Sequence, residues 1–575
     1  MKGIKRQQRQ RYGYVNGGPA DKGDNTQDDD SGLFTGIMWI IVVVIFTLLV
    51  FFRDGHTAQE EETAFEIKGY IVKGNTLLDY DRIIEGLKFY TGQNKTSKDV
   101  EEARKYLEKI YHNEGYPTVL VNIPPQEVQE GVVTLEVIES KIGEVRVTGN
   151  RYYTKEKILE MLPAFRRGEL LYVPEVQEEM NKANSASDLK IAPILMPGKE
   201  LGTTDVDLRV TDYFPLHGSI ELNNRSTHDT SDLRLNGVIH YDNLWQSGHS
   251  ISLQYQMSPQ ETDEVKAFAA SYVLPAPWNE DHVLAAYAVL SDSQTAFGEG
   301  FQVNGKGDIY GLQHAVPLPF YKLYSHSISF GVDYKHMRET QGTQDATSGI
   351  KTPITYLPFN IQYHANLPDS LGATRFEAGM STCFRGFSTR EAQFEDSRFE
   401  ARADYFITKL GVERDLTLPK DLSLFLKVDG QSSDQPLLSY EQYTAGGMMS
   451  VRGYKESEEA GDNALHGTIE LRATDLMKML QIPKASKSTS YIFSGPDQGT
   501  TYLTPYLFFD AALLTTIDPL PQQDRRAAIY GTGLGLRGSL TRYLQFETDY
   551  AFALRKTDQT DKNDQMLHFF IKGQF

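Results

Sequence analysis

The chain has 575 residues, 40% of them hydrophobic, and 58 basic against 77 acidic side chains give a net charge of −19. That length leaves room for more than one domain, and the apolar content is too low for a bundle of many transmembrane helices. A net charge of −19 argues against a nucleic-acid binder, and a single cysteine, Cys383, excludes an intramolecular disulfide or a CxxC site.

Residues 1–33 form a leader, basic first (Lys2, Lys5, Arg6, Arg9, Arg11) and then acidic. Residues 34–52, FTGIMWIIVVVIFTLLVFF, carry no charge. At about 1.5 Å per residue a helix of this length just crosses a hydrocarbon core, and the basic flank keeps that end in the cytoplasm. A cleaved signal and an uncleaved anchor compete here. Length favours the anchor, and His56-Thr57-Ala58 before Gln59 is a poor cleavage site. The chain that follows favours export, so a signal is expected.

Next the sequence repeats itself. Val72-Lys73-Gly74-Asn75 recurs 75 residues on as Val147-Thr148-Gly149-Asn150, and Ile83, Ile84, Glu85 and Leu87 recur as Ile158, Leu159, Glu160 and Leu162. Gly92 and Val100 recur as Gly168 and Val176, and Leu135-x-Val137 as Leu208-x-Val210. One folding unit is therefore used twice, over 64–140 and 141–212. In the first copy Ala64 to Asn75 alternates as a strand, and a short helix runs through Ile83, Ile84 and Leu87. A second helix follows the capping hydroxyls of Thr96-Ser97, with Val100, Ala103, Leu107, Ile110 and Tyr111 at helical spacing. Gly115 ends that helix, and strands run through Thr118 to Ile123 and Val132 to Ile138. In the second copy Pro174 opens the long helix.

The order strand, helix, helix, strand, strand resembles the POTRA (polypeptide-transport-associated) domain. Gly115-Tyr116, Pro124-Pro125-Gln126 and Glu130-Gly131 match its two-partner secretion version. Such a domain offers a sheet edge to an extended peptide.

From 215 to 575 only strand alternation remains. Ile328, Phe330, Val332 and Tyr334 alternate with polar residues, as do Ile251, Leu253, Tyr255 and Met257, and Leu544, Phe546, Tyr550 and Phe552. Ten-residue apolar stripes edged by aromatics, opposite faces of Gly, Ser, Asp, Glu and Lys, and a terminal Phe575 fit a transmembrane barrel. In hydrocarbon such a sheet must close, with about sixteen strands, an even number. Phe575 on its alternating strand resembles the signal that outer-membrane assembly machinery reads.

The most specific motif is Glu441-Gln442-Tyr443-Thr444-Ala445-Gly446-Gly447, then Val451-Arg452-Gly453-Tyr454, then Gly461-Asp462. It closely resembles the loop that two-partner secretion transporters fold back into their own barrel. A partner motif on the barrel wall reads Phe508-Phe509-Asp510-Ala511-Ala512, with Ala512 where the family has Gly. Leu507, Phe509, Ala511 and Leu513 share one face, so Asp510 points into the lumen, where Arg452 is expected to meet it. A guanidinium fork held by a carboxylate pins a loop at one place and angle.

Other candidates carry less. Phe384-Arg385-Gly386-Phe387 lacks the Gly-Gly and Glu-Gln context and reads as a turn. Gly531-Thr532-Gly533-Leu534-Gly535-Leu536 looks like a phosphate loop, yet it alternates as a strand and no helix follows. Glu458-Glu459 reads as a solvated loop face, and the thirteen histidines show no ligand spacing along the chain. No cofactor, metal or catalytic residue is expected.

As a whole the sequence resembles a two-partner secretion transporter of the haemolysin secretion/activation type. The resemblance implies an outer-membrane pore of a Gram-negative-type bacterium with its POTRA domains in the periplasm. They would recognise a large unfolded exoprotein by its N-terminal secretion domain. Assembly machinery and the lipid bilayer would be its other partners, nucleic acid none. Relatives often carry a plug helix before the first POTRA domain; here only Gln59 to Thr63 precede it, so none is expected unless the leader is retained. A barrel-assembly factor, usually with more POTRA copies, is the nearest alternative. A passive porin or receptor leaves the repeats unexplained.

Overall fold

The computed structural model describes residues 64–575 apart from 129, 229, 294–295, 298–300, 303–304, 320, 322, 339–352, 389–390 and 480–500. The leader, the apolar run, the cleavage position and any plug lie outside the described residues.

Two small modules come first. The first contains β1 (Gly69–Lys73), α1 (Tyr80–Leu87), α2 (Ser97–Asn113), β2 (Val119–Asn122) and β3 (Val132–Glu139). The second contains β4 (Lys141–Thr148), α3 (Lys155–Met161), α4 (Val173–Ala183), β5 (Leu189–Pro197) and β6 (Thr203–Asp212). In each, the last strand is central, parallel to the first and antiparallel to the one before it. The repeated Gly-Asn turn does the same job twice. Gly74 and Gly149 sit at φ +82° and +90°, where a Cβ would strike the carbonyls of Val137 at 2.3 Å and Val210 at 2.4 Å, so only glycine fits. The following Asn75 and Asn150 donate to Leu78 and Tyr153 carbonyls at 2.8 Å.

The opening strand of the first module differs from the alternation. It breaks at Lys68, whose N–H turns to the Gly131 carbonyl, and the piece Phe65–Ile67 pairs with Gly92–Lys95 instead. α2 starts as a capping box, Thr96 with Asp99, and buries Val100, Ala103, Leu107 and Tyr111 against the sheet.

The remainder is a closed antiparallel barrel. β7 (Leu216–Asn223) and β8 (Arg234–Leu244) open the wall, and β9 to β17 continue it from His249 to Ser433. β18 (Asn463–Arg472), β19 (Tyr502–Thr515), β20 (Arg526–Thr541), β21 (Leu544–Ala553) and β22 (Gln565–Gln574) complete it. Ile354–Tyr356 prolongs the strand Phe359–Asp369 across Pro358, which cannot donate to the ladder, so the wall has sixteen strands. β22 pairs with β7, Gln574 opposite Ser219, which leaves no open edge. Leu507, Phe509 and Leu513 of β19 face outward and exposed, as do Ile251, Leu253 and Tyr255, whereas Asp510 is fully buried on the inner side.

The modules sit at one mouth of the barrel. Gln246, in the turn after β8, exchanges hydrogen bonds with Tyr152 and Thr154 of the second module, and Lys182 of α4 pairs with Asp281 at 2.6 Å. At the far mouth Tyr356, Phe394, Tyr405, Leu437 and Leu438 form an apolar cluster between the connecting loops.

Candidate functional site

After β17 (Leu422–Ser433) the connection 434–462 turns back into the barrel. Its stem is a hairpin, Tyr443–Ala445 against Glu459–Gly461. Gly446 and Gly447 follow at φ +116° and +97°; a Cβ on Gly447 would meet the Glu456 carboxylate at 2.2 Å. The Ser450 hydroxyl accepts from the Gly446 N–H and donates to its carbonyl. These contacts set the turn that presents Val451, Arg452, Gly453 and Tyr454 to the inner wall.

Arg452 lies in a pocket of three carboxylates. Its Nε and Nη2 donate to the two oxygens of Asp510 at 2.7 and 2.8 Å, and its N–H to Asp510 at 3.2 Å. Nη1 donates to Glu470 at 2.9 Å and reaches Asp549 at 3.5 Å. The guanidinium also stacks over the Phe508 ring, 3.6 Å from its centroid. Arg452 is 3% exposed, and Glu470, Asp510 and Asp549 are 5% or less. Burial works against the charged guanidinium, but the Asp510 hydrogen bonds and the charges of Asp510, Glu470 and Asp549 outweigh it and raise its pKa above the ordinary arginine value. Removing one partner of such a buried pair costs about 3–5 kcal/mol.

The wall is cut to receive the tip. On β20, Gly531 has no room for a side chain: a Cβ would lie 1.8 Å from the Arg452 carbonyl oxygen. At Gly533 and Gly535 a Cβ would strike the rings of Phe508 at 2.7 Å and Tyr506 at 2.3 Å, the two aromatics beside Arg452. The glycine run that resembles a phosphate loop is thus the strand face on which the loop rests. Gly453, at φ +99°, brings its N–H to His568 Nε2 at 3.0 Å. The Tyr454 hydroxyl donates to the Arg555 carbonyl at 2.8 Å and accepts from the Arg555 N–H at 3.1 Å.

The remaining motif residues meet elsewhere, at the root of the loop. Asp462 is fully buried and accepts both arms of Arg398, at 2.8 and 2.7 Å, together with the N–H groups of Leu437 and Ile517 and the Gln442 amide. Glu441 accepts from Lys335 at 2.6 Å and Tyr356 at 2.8 Å. Phe575 is in neither group: it pairs by backbone with Gly218 at the seam between β22 and β7. Arg385–Phe387 is a single helical turn. Glu458 differs from its expected solvated setting, with its side chain buried between His228 and Thr557. Sequence reasoning missed Glu470, Asp549, His568 and Arg398, none of which carries a signal of its own; the visible trace of the docking face is the every-second-glycine rhythm of β20.

Below the loop the lumen is open. A cavity of about 1720 Å³ runs from the module-side mouth, at Tyr213, His217, Tyr543 and Phe575, up to Tyr443, Met448 and Arg452 of the loop. The loop therefore stands across a channel whose lower end opens toward the modules.

Comparison with known proteins agrees with this architecture. Residues 202–537 match the family described as Haemolysin secretion/activation protein ShlB/FhaC/HecB, and residues 65–140 match the ShlB-type POTRA domain. The Heme/hemopexin transporter protein HuxB of Haemophilus influenzae (strain 86-028NP) is 21% identical over 419 residues, covering 71% of this chain and 73% of that protein. Among solved structures, CdiB from Escherichia coli superposes with a TM-score of 0.61 at 16% identity, covering 94% of this chain and 99% of the other. BamA from Haemophilus ducreyi lacking POTRA domains 1-3 gives 0.53 at 14% identity, covering 89% and 100%. At those identities the two structures speak to fold alone.

Proposed function

The chain belongs to the haemolysin secretion/activation family, and from that premise we propose that it passes a large unfolded exoprotein from the periplasm through the barrel to the cell surface. It is an outer-membrane transporter of the two-partner type, with its POTRA region in the periplasm. The observation that carries the proposal is the loop 434–462 standing in the lumen with Arg452 held by Asp510, Glu470 and Asp549. A permanent wall would need no releasable tip; a passage for unfolded chain must be closed at rest and opened when occupied.

In this reading the POTRA modules, 64–140 and 141–212, take up the exoprotein's N-terminal secretion domain by adding its strand to a sheet edge. β1 and β2 both have one unpaired side. No covalent step is involved, and folding of the exoprotein outside supplies the drive. The terminal strand ending in Phe575 is what the assembly machinery reads before insertion. Removing residues 446–457, which spares the hairpin stem, should raise single-channel conductance and lower secretion while heat-modifiable migration shows an inserted barrel. Unchanged conductance would overturn the gate. Removing 64–140 should abolish export at equal barrel abundance, and normal export would overturn the recognition step.

A further inference from the structure

Where the second module joins the barrel, four side chains converge that the secretion reading does not use. β7 and β8 pair with His217 opposite His240. Their rings stack with centroids 4.9 Å apart, and Asp242, two residues on, lies 3.6 Å from His240 Nε2 and 4.0 Å from His217 Nε2. From the module side Asp188, just before β5, brings Oδ1 to 2.8 Å from the same His217 Nε2. Along the chain these residues share no ligand spacing; only the strand register and the docking of the module unite them.

Two details set the cluster apart from an ordinary histidine–carboxylate pair. The Asp188 side chain is 1% exposed, and its Oδ1 stands 2.8 Å from the His217 Nε2, with no further hydrogen-bond partner on either atom. A buried carboxylate oxygen has more than one lone pair to satisfy. Further, two imidazoles face two carboxylates here, and one divalent cation between neutral rings balances that charge as two ring protons would.

We propose that His217, His240 and Asp242 bind one divalent transition-metal ion of the zinc class on the first two strands of the barrel, with Asp188 of the second module holding His217 in place beside it. Two imidazoles with one carboxylate and an open fourth position suit zinc rather than magnesium or calcium, which take oxygen ligands. The ligand atoms of His217, His240 and Asp242 lie within 4.8 Å of one another. A tetrahedral ion with bonds of about 2 Å needs roughly 3.3 Å between ligand atoms, so binding would draw these three side chains together. His217 and His240 line the lumen cavity, which gives an entry path. Backbone bonds already stitch this joint, Tyr213 N–H to the Asp188 carbonyl at 2.9 Å and Asp242 N–H to the Pro215 carbonyl at 2.8 Å. A bound ion would stiffen it.

The test uses the full chain, purified in detergent and stripped with a chelator, and titrated with Zn²⁺ alone by calorimetry. One tight equivalent is expected, with tetrahedral ligand-field absorption when Co²⁺ replaces it. His217→Ala with His240→Ala should abolish that equivalent, Asp188→Asn should weaken it about tenfold or more, and His364→Ala, on the wall strand Phe359–Asp369, should leave it unchanged. Should the double variant fail to insert, His240→Gln alone should likewise lose the tight equivalent. Independently, Zn²⁺ should slow amide exchange at Tyr213 and Asp242 in the unaltered protein. Absence of a tight equivalent there, or its persistence in the histidine variants, overturns the site.

Discussion

Both ends of the lumen loop are held by an arginine and a carboxylate, but the roles are exchanged. At the tip the loop supplies the cation, Arg452, and the rigid wall supplies Glu470, Asp510 and Asp549 on three different strands. At the root the loop supplies the anion, Asp462, and Arg398 comes from the neighbouring connection, with backbone N–H groups of Leu437 and Ile517 completing the shell. The tip is one charge in a socket of wall carboxylates, and in the proposed gate it is the end that leaves. The root is a weave of the loop with its neighbours, so its loss would disorder several connections at once. A gate needs that asymmetry: one end that lets go and one that does not.

The largest expected effect is at the tip. Arg452→Ala leaves Asp510 without its cation and removes one donor from Glu470, which keeps Arg472, at a cost of about 3–5 kcal/mol to the docked loop. Secretion should fall severalfold and planar-bilayer conductance should rise, with barrel abundance unchanged. Arg452→Lys should rescue only part of it, since an ammonium cannot span both Asp510 oxygens. If Arg452→Ala behaved like the unaltered protein in both assays, tip and root would not differ and the gate reading would fail.

A slightly smaller effect should come from Gly531→Val, which touches no charge. The strand itself tolerates valine, but the side chain would occupy the place of the Arg452 carbonyl oxygen. Conductance should rise as in Arg452→Ala while thermal unfolding of the barrel stays the same. A loss of barrel stability instead would make Gly531 a structural residue and nothing more.

Next comes Asp510→Asn, which keeps the shape but removes one of three negative charges. With Glu470 and Asp549 still present the loss should be about 1–3 kcal/mol. Combined with Arg452→Ala it should add little, because its contact is already gone; strictly additive losses on secretion rate would dissolve the pair.

How much of this could be read from the sequence follows from where each signal resides. The inward turn of Asp510 was legible because Leu507, Phe509 and Leu513 alternate with it, and the barrel because that alternation recurs over sixteen strands. Glu470 and Asp549 carry no such mark, since a carboxylate on the wet face of a strand looks the same whether it faces water or a guanidinium. Arg398 comes from a connection with no periodicity at all. His217 and His240 meet through register, across a hairpin that sequence spacing does not measure. The burial of Glu458 is not legible in its loop position, because burial of a loop residue depends on what the loop folds against, here His228 and Thr557.

At the root, Asp462→Asn should cost about 1–3 kcal/mol but leave the tip seated, so conductance should change less than in Asp510→Asn. The distinguishing readout is proteolysis: cleavage within 383–405 should quicken, since Arg398 loses its bidentate partner. If that connection stayed resistant while conductance rose, the root rather than the tip would be the releasable end.

The smallest effect lies between the two ends, in the stem. Burial first, then the negative charges of Glu458, Asp558 and Asp524, push the Glu459 carboxyl up to about 7, with Arg555 opposing. When the stem separates, that carboxyl returns toward an ordinary value of about 4.3. The docked loop therefore holds a proton that the released loop gives up, so docking is firmest below the ordinary value. It weakens as pH rises through the interval up to about 7 and changes no further above it. Channel openings in the unaltered protein should accordingly be more frequent at pH 8 than at pH 5. Glu459→Gln, neutral at every pH, should show the low-pH behaviour throughout and lose the slope. Arg452→Ala should lose it too, for a different reason, because its loop is already free at both pH values. A slope that survived Glu459→Gln would assign the titration to another group and leave the stem a passive link between the end that releases and the end that holds.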